Sequence, residues 1–330
     1  MAAAPATESK ALPQIEVDVE ATKDDSAYGD ELSACATSLE SSAFDYRHEN
    51  GRRYHAYRDG SYLLPNDKAE SERLDLIHEM MLTIMRRKLF LAPIGKSPKR
   101  VLDLGTGTGI WAIDFADNYP SAEVIGTDLS PTQPSFVPPN VRFIIDDMEQ
   151  EWAFEKPFDF IHTRFLACSI KDYGRLLKQA FKNTVPGGWV ECQDWDVNLY
   201  SEDGSLKGTS LEKYYKVVPE GFRKGGYVVS PGPQLEQWFR EAGFEDIHVK
   251  KYKVPLGPWP KDKYYKEIGV WSLLQGETGF EAGAMAVLTR FESWSKEEVS
   301  VLVSKAQSDV RNRAIHSMFD CYVVYGKKPL

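Results

Sequence analysis

Val101-Leu-Asp-Leu-Gly-Thr-Gly-Thr-Gly109 decides the architecture of this chain. Val101 to Leu104 read as a short buried strand. Gly105, Gly107 and Gly109, at alternate positions, then let the backbone turn tightly and approach a ligand where any Cβ would intrude. Ile110, Trp111, Ile113, Phe115 and Ala116 continue at once in helical pattern, so strand, glycine turn and helix N-terminus make one ligand-binding unit. A second strand, 122–127, ends in Asp128, 19 positions beyond Gly109. A carboxylate there can accept from both hydroxyls of a ribose, which predicts a cofactor built on adenosine.

The glycine spacing narrows the cofactor. Dinucleotide enzymes use Gly-x-Gly-x-x-Gly to set a helix N-terminus against a pyrophosphate. This loop is Gly-x-Gly-x-Gly, which argues against a nicotinamide dehydrogenase. With Asp103 two residues before the first glycine, it resembles motif I of the class I S-adenosylmethionine methyltransferases, whose cofactor carries no phosphate.

Composition sets the outer bounds. At 330 residues, 42% hydrophobic and 27% charged, the chain can bury a sizeable core. Its net charge of −9 is concentrated at the start, where residues 1–40 carry nine acids against Lys10 and Lys23. That acidity reads as a solvated tail and supplies no basic stripe for nucleic acid. Cys35, Cys168, Cys192 and Cys321 are far apart, with no C-x-x-C pair and no histidines at ligand spacing, so neither zinc nor a disulfide framework is expected. No run of about 18 apolar residues suggests a membrane span, and the first residues match no signal peptide or presequence. The expected compartment is the cytoplasm, with the nucleus as the alternative if the chain regulates.

Residues 1–43 lack the apolar content to offset the cost of ordering and are expected to be a disordered acidic tail. The domain proper is assigned to 44–330: a lid and helix over 44–95, a cofactor-binding half over 96–195 and a substrate-side half over 196–330. Residues 44–57 mix aromatics, cations and histidines without clear periodicity and fit either a ligand-facing lid or a surface strap. Ser71 is a plausible cap for an amphipathic helix reaching about Phe90, whose methionine face (Met80, Met81, Met85) suits core packing better than a cofactor box. Strands over 141–145, 158–163 and 189–193, alternating with a helix around 176–181, predict a doubly wound parallel sheet. Beyond it, helices are expected over about 211–216, 234–242, 261–275 and 297–312, with strands over 247–254 and 316–325 closing the sheet.

The string Glu49-Asn-Gly-Arg-Arg-Tyr-His-Ala-Tyr57, then Tyr62-Leu-Leu-Pro-Asn-Asp67, Leu74-Asp75, motif I, Phe158-Asp-Phe-Ile-His-Thr-Arg164 and Pro186-Gly-Gly-Trp-Val-Glu191, resembles the fungal methyltransferases of the LaeA and UMTA type. The resemblance covers roughly residues 44–330. It implies an α/β fold with a Rossmann-like seven-stranded class I methyltransferase sheet and flanking helices, S-adenosylmethionine as cofactor, and a place in fungal secondary metabolism. A tailoring enzyme with a small-molecule substrate is one reading; a regulator with protein partners is the other. Neither calls for direct nucleic-acid or membrane contact.

On that resemblance, Asp103 and the loop Gly105, Thr106, Gly107 and Gly109 would fix the methionine end, Asp128 the ribose, and Asp147 with the Met148 backbone the adenine, with Asp146 competing. His162, at the carboxyl end of its strand where ligands of open sheets bind, is the first candidate for a general base; a buried histidine bonded in a turn is the competing reading. Asp194 and Asp196 are weaker candidates, since acids at strand ends also cap neighbouring segments. Tyr54 and His55 could close the site, and Arg164 sits on its acceptor side. Thr163-Arg164-Phe165-Leu166 stands where adenine methyltransferases carry Asp/Asn-Pro-Pro-Tyr/Phe, which disfavours nucleobase methylation.

Overall fold

The structure is a computed structural model and describes residues 46–330 except Asp59. The tail assigned to 1–43 lies outside the described residues. A short hairpin, β1 (Arg47–Glu49) and β2 (Arg52–Tyr54), leads to α1 (Lys68–Ile84). Asp67, not Ser71, caps α1: its side chain accepts from the Glu70 amide at 3.0 Å and also clasps Arg52 of β2. One carboxylate thus starts the helix and ties the hairpin to it. The helix ends at Ile84, short of Phe90, because Arg86 and Arg87 turn to positive φ.

The sheet comprises β3 (Arg100–Leu104), β4 (Glu123–Asp128), β5 (Val141–Ile145), β6 (Phe158–Arg164), β7 (Thr184–Tyr200), β8 (Glu245–Pro255) and β9 (Met318–Lys327). Their order is β5-β4-β3-β6-β7-β9-β8, with β9 antiparallel to both neighbours and the other pairings parallel. The sheet is therefore mixed rather than wholly parallel, and the closing pair β8 and β9 completes it beside β7. α2 (Ile110–Asn118) covers one face; α3 (Tyr173–Asn183) and α5 (Leu235–Ala242) cover the other. Strand alternation assigns the side chains. Val101 and Phe160 join Trp111 and Phe115, while Leu102, Leu104 and Ile161 join Tyr173, Leu176 and Phe239.

A helical body formed by α4 (Ser210–Lys224), α6 (Lys263–Phe291) and α7 (Lys296–Arg311) packs around its own apolar cluster. α1 lies on α6, with Met80, Met81 and Met85 buried against Trp195 and Val323. α6 is almost twice its expected length, continuing through Gly276, Gly279 and Gly283. Helical glycines cost about 1 kcal/mol each relative to alanine, and tertiary packing offsets that cost here. Among the described residues no helix is long and apolar enough to cross a membrane, and no cluster of three acids, histidines or cysteines could hold a metal ion.

Candidate active site

Two neighbouring cavities lie beyond the carboxyl ends of β3, β4 and β6. The first, of about 130 Å³, is walled by Asp103 of β3, Gly105, Thr106 and Gly107 of the glycine loop, Asp128 at the end of β4, Asp147 and Met148 after β5, Arg164 at the end of β6 and Phe165 after it. Glu70 and Leu74 of α1 close its far side. Gly105 has φ +66, and a Cβ there would stand 2.7 Å from Leu166 and 2.9 Å from Met148. Only glycine keeps this cradle open. Gly109, also at positive φ, lines no part of the cavity; a Cβ there would strike the Phe143 ring, so packing demands that glycine.

Asp128, the acid expected at the ribose, ends β4 and walls the cavity. It accepts from the Gly107 amide at 2.9 Å and the Ser130 amide at 3.0 Å, which fixes the glycine loop to the end of β4. Burial raises its carboxyl to about 6, against the pull of those amides. A carboxylate has about four lone-pair positions, so capacity for a ligand remains. Asp147 faces the cavity while accepting from the Glu149 amide, whereas Asp146 turns away and accepts from the Asp147 amide. Of the two competing acids, Asp147 is the one beside the cavity.

The sequence-predicted acceptor-side residues separate sharply. His162 has no exposed surface and lines neither cavity. Its ring lies parallel to Trp111 at 3.7 Å, and its Nδ1 pairs with Asp103 Oδ1 at 2.8 Å. Register explains the contact, since Asp103 and His162 are paired neighbours on β3 and β6 facing α2. Burial lowers the His162 pKa, so the ring is neutral near pH 7. Asp194 is also wholly buried. It accepts from the amides of Leu166, Ala167 and Trp195 and from the Tyr173 hydroxyl, and burial raises it to about 6. These bonds clamp the turn that carries Phe165 at φ +60, an uncommon conformation for a bulky side chain. Asp196 accepts from Asn198 beside it and lines no cavity.

Tyr54 and His55 are buried behind the cavity walls, Tyr54 under the Arg290 guanidinium and His55 beside Tyr62. Of the hairpin region it is Ser61, Tyr62, Pro65 and Asn66 that reach the first cavity. Arg164 does line it. Its Nη2 meets His78 Nδ1 at 3.0 Å, its buried Nη1 has no hydrogen-bond partner, and burial lowers its pKa to about 10.

Phe165 also borders the second cavity, of about 170 Å³. Residues of α1, α4, α6, β7 and β9 wall it, mostly aromatic and aliphatic, and Arg73 is its only charged residue among those described. Arg73 is paired through Nε at 2.9 Å and through Nη2 with Glu70, whose own carboxylate borders the first cavity. This buried pair and the Phe165 ring lie where the two spaces adjoin. Sequence reasoning missed this pair, because Glu70 and Arg73, at i and i+3 on an amphipathic helix, look like an ordinary surface pair.

Comparison with known proteins decides what this geometry belongs to. A methyltransferase-domain family profile matches residues 73–249. The chain is 42% identical over 318 residues to methyltransferase pytC of Aspergillus terreus, across 96% of both chains. It belongs to the LaeA-type class I methyltransferases. The secondary metabolism regulator LAE1 of Cochliobolus heterostrophus is 35% identical, covering 85% of this chain and 94% of the relative. For laeA of Aspergillus flavus the identity is 34%, with 85% and 77% covered. Among solved structures, phosphoethanolamine N-methyltransferase 2 of Haemonchus contortus matches 91% of this methyltransferase and 74% of that chain at 19% identity, with a TM-score of 0.49.

S-adenosylmethionine is the methyl donor of this class, and the first cavity suits it. The glycine cradle admits close approach, Asp128 brings a buried carboxylate to the wall, and Arg164 has a buried guanidinium nitrogen without a hydrogen-bond partner.

Proposed function

We propose that this methyltransferase transfers a methyl group from S-adenosylmethionine to a small secondary metabolite. One observation carries the reading: the glycine cradle and Asp128 wall one cavity that meets, at Phe165, a second, more apolar cavity large enough for part of a small molecule. In this reading Asp128 holds the ribose hydroxyls, Asp147 and the Met148 backbone the adenine edge, and Gly105, Gly107 and Arg164 the methionine end. The cofactor supplies an activated methyl group; the chain orients the acceptor against it and excludes water.

His162 then acts as a positioning residue. It holds Asp103, which accepts from the Thr106 hydroxyl at 2.6 Å and so sets the loop, and no base is drawn from it. Asp194 positions Phe165 in the same sense. We assign the whole site to residues 44–330 and leave the acidic segment 1–43 outside it.

The relatives named as regulators favour a second reading, in which the same domain serves a regulatory protein complex. Comparing the metabolites of a gene-deletion strain with those of its parent tests the two. Accumulation of one compound lighter than the product by a methyl group, converted by purified protein and S-adenosylmethionine, supports the tailoring enzyme. Loss of many unrelated compounds, with no extract component methylated, supports the regulator.

A further inference from the structure

The second cavity is more specific than a generic acceptor space. Phe165 meets Trp195 edge-on at 5.9 Å between ring centres, and Tyr214 meets Phe280 edge-on at 4.9 Å, so the lining includes two edge-on pairs of aromatic rings. Such walls favour a flat ring entering in offset or edge-on packing. The volume of about 170 Å³ compares with the roughly 150 Å³ of an apolar cavity that accepts benzene.

The charge balance of the wall restricts the occupant further. Arg73 is 4% exposed and Glu70 is 2% exposed, and each neutralises the other. The third Arg73 nitrogen, Nη1, reaches Gln275 Oε1 at 3.3 Å, and a guanidinium has five donors, so it can still donate to a neutral oxygen. A charged acceptor would be desolvated there without an unpaired counter-charge.

We propose that this cavity is the acceptor site and that it selects an uncharged, hydroxylated aromatic ring, with Arg73 and Gln275 addressing its oxygen. This rests on reading the chain as an S-adenosylmethionine-dependent methyltransferase.

Titration calorimetry on the full chain tests it, with 1-naphthol as the neutral probe and 1-naphthoate as its charged counterpart, each in the presence of saturating S-adenosylhomocysteine. 1-Naphthol should bind, and 1-naphthoate should bind at least about tenfold more weakly. Val197→Phe and Gly283→Leu fill the cavity from different elements, and a Cβ at position 283 already approaches the Tyr214 hydroxyl at 3.1 Å. Either folded variant should lose 1-naphthol affinity by about tenfold or more while keeping that for S-adenosylhomocysteine. The proposal is overturned if wild type binds S-adenosylhomocysteine but not 1-naphthol, if it binds both probes equally, or if a folded variant binds 1-naphthol as wild type does. Failure of wild type to bind S-adenosylhomocysteine would overturn instead the cofactor reading beneath it.

Discussion

The two cavities are built in opposite ways. The cofactor side draws most of its polar lining from the carboxyl ends of β3, β4, β5 and β6 and the turns after them, where backbone amides meet acids at neighbouring strand ends. The apolar side gathers side chains from α1, α4, α6, β7, β8 and β9 and the turns beside them, separated by up to 255 positions between Leu64 and Phe319. A site made of local backbone geometry tolerates few residue types at each position; one made of pooled apolar surface tolerates many. Substitutions on the first side should therefore abolish cofactor binding cleanly, and those on the second should reshape acceptor choice.

The clamp between the two sides should show the largest effect. Asp194→Ala removes four hydrogen bonds in the interior, and urea unfolding should show a loss on the order of 3 to 5 kcal/mol. Retained stability would mean the Phe165 turn stands without it. Gly105→Ala comes next. Its Cβ would crowd Leu166 and Met148 inside the cradle, and S-adenosylhomocysteine affinity should fall about 100-fold, or about 2.7 kcal/mol, with far less change in melting temperature. An intact affinity would place the cofactor elsewhere.

A smaller effect comes from pH. Asp128 titrates near 6 in the free protein, and ligand hydroxyls donate to its charged form. Affinity for S-adenosylhomocysteine should therefore rise as pH rises from 5 to 7.5, by about tenfold, and level off above that window. A flat profile, or one that falls, would remove Asp128 from the contact. The smallest effect is expected at Asp196, which bonds only Asn198 beside it: Asp196→Ala should change stability by less than about 0.5 kcal/mol and leave cofactor affinity unaltered. A strong loss of activity there would restore it as a catalytic candidate.

The same contrast explains what could be read from the chain beforehand. The sheet strands were legible because each is a short apolar run bounded by turn residues, and Gly105, Gly107 and Asp128 were legible because only those residue types suit their places. The path of α6 past Gln275 was not, since four glycines in its length, at 269, 276, 279 and 283, argue locally against a helix. His162 was read by its position at the end of a strand, but the direction of its side chain follows from register with Asp103 and from the Trp111 face, which only the assembled sheet supplies. Asp194 was taken for a possible reactive acid, and the four donors converging on it come from segments up to 28 residues away. The segment after the hairpin bears on the first cavity through Tyr62 and Asn66, whereas Tyr54 and His55 do not line it.

The central claim is that the first cavity holds S-adenosylmethionine through the glycine cradle and Asp128. Titration calorimetry of wild type and Asp128→Ala with S-adenosylhomocysteine, and of wild type with NAD, tests it most directly. Wild type should bind S-adenosylhomocysteine and show no tight NAD binding, and Asp128→Ala should lose on the order of 2 to 4 kcal/mol, about two hydrogen bonds to a charged acceptor. Unchanged affinity in the folded variant, or tight binding of NAD, would contradict the account.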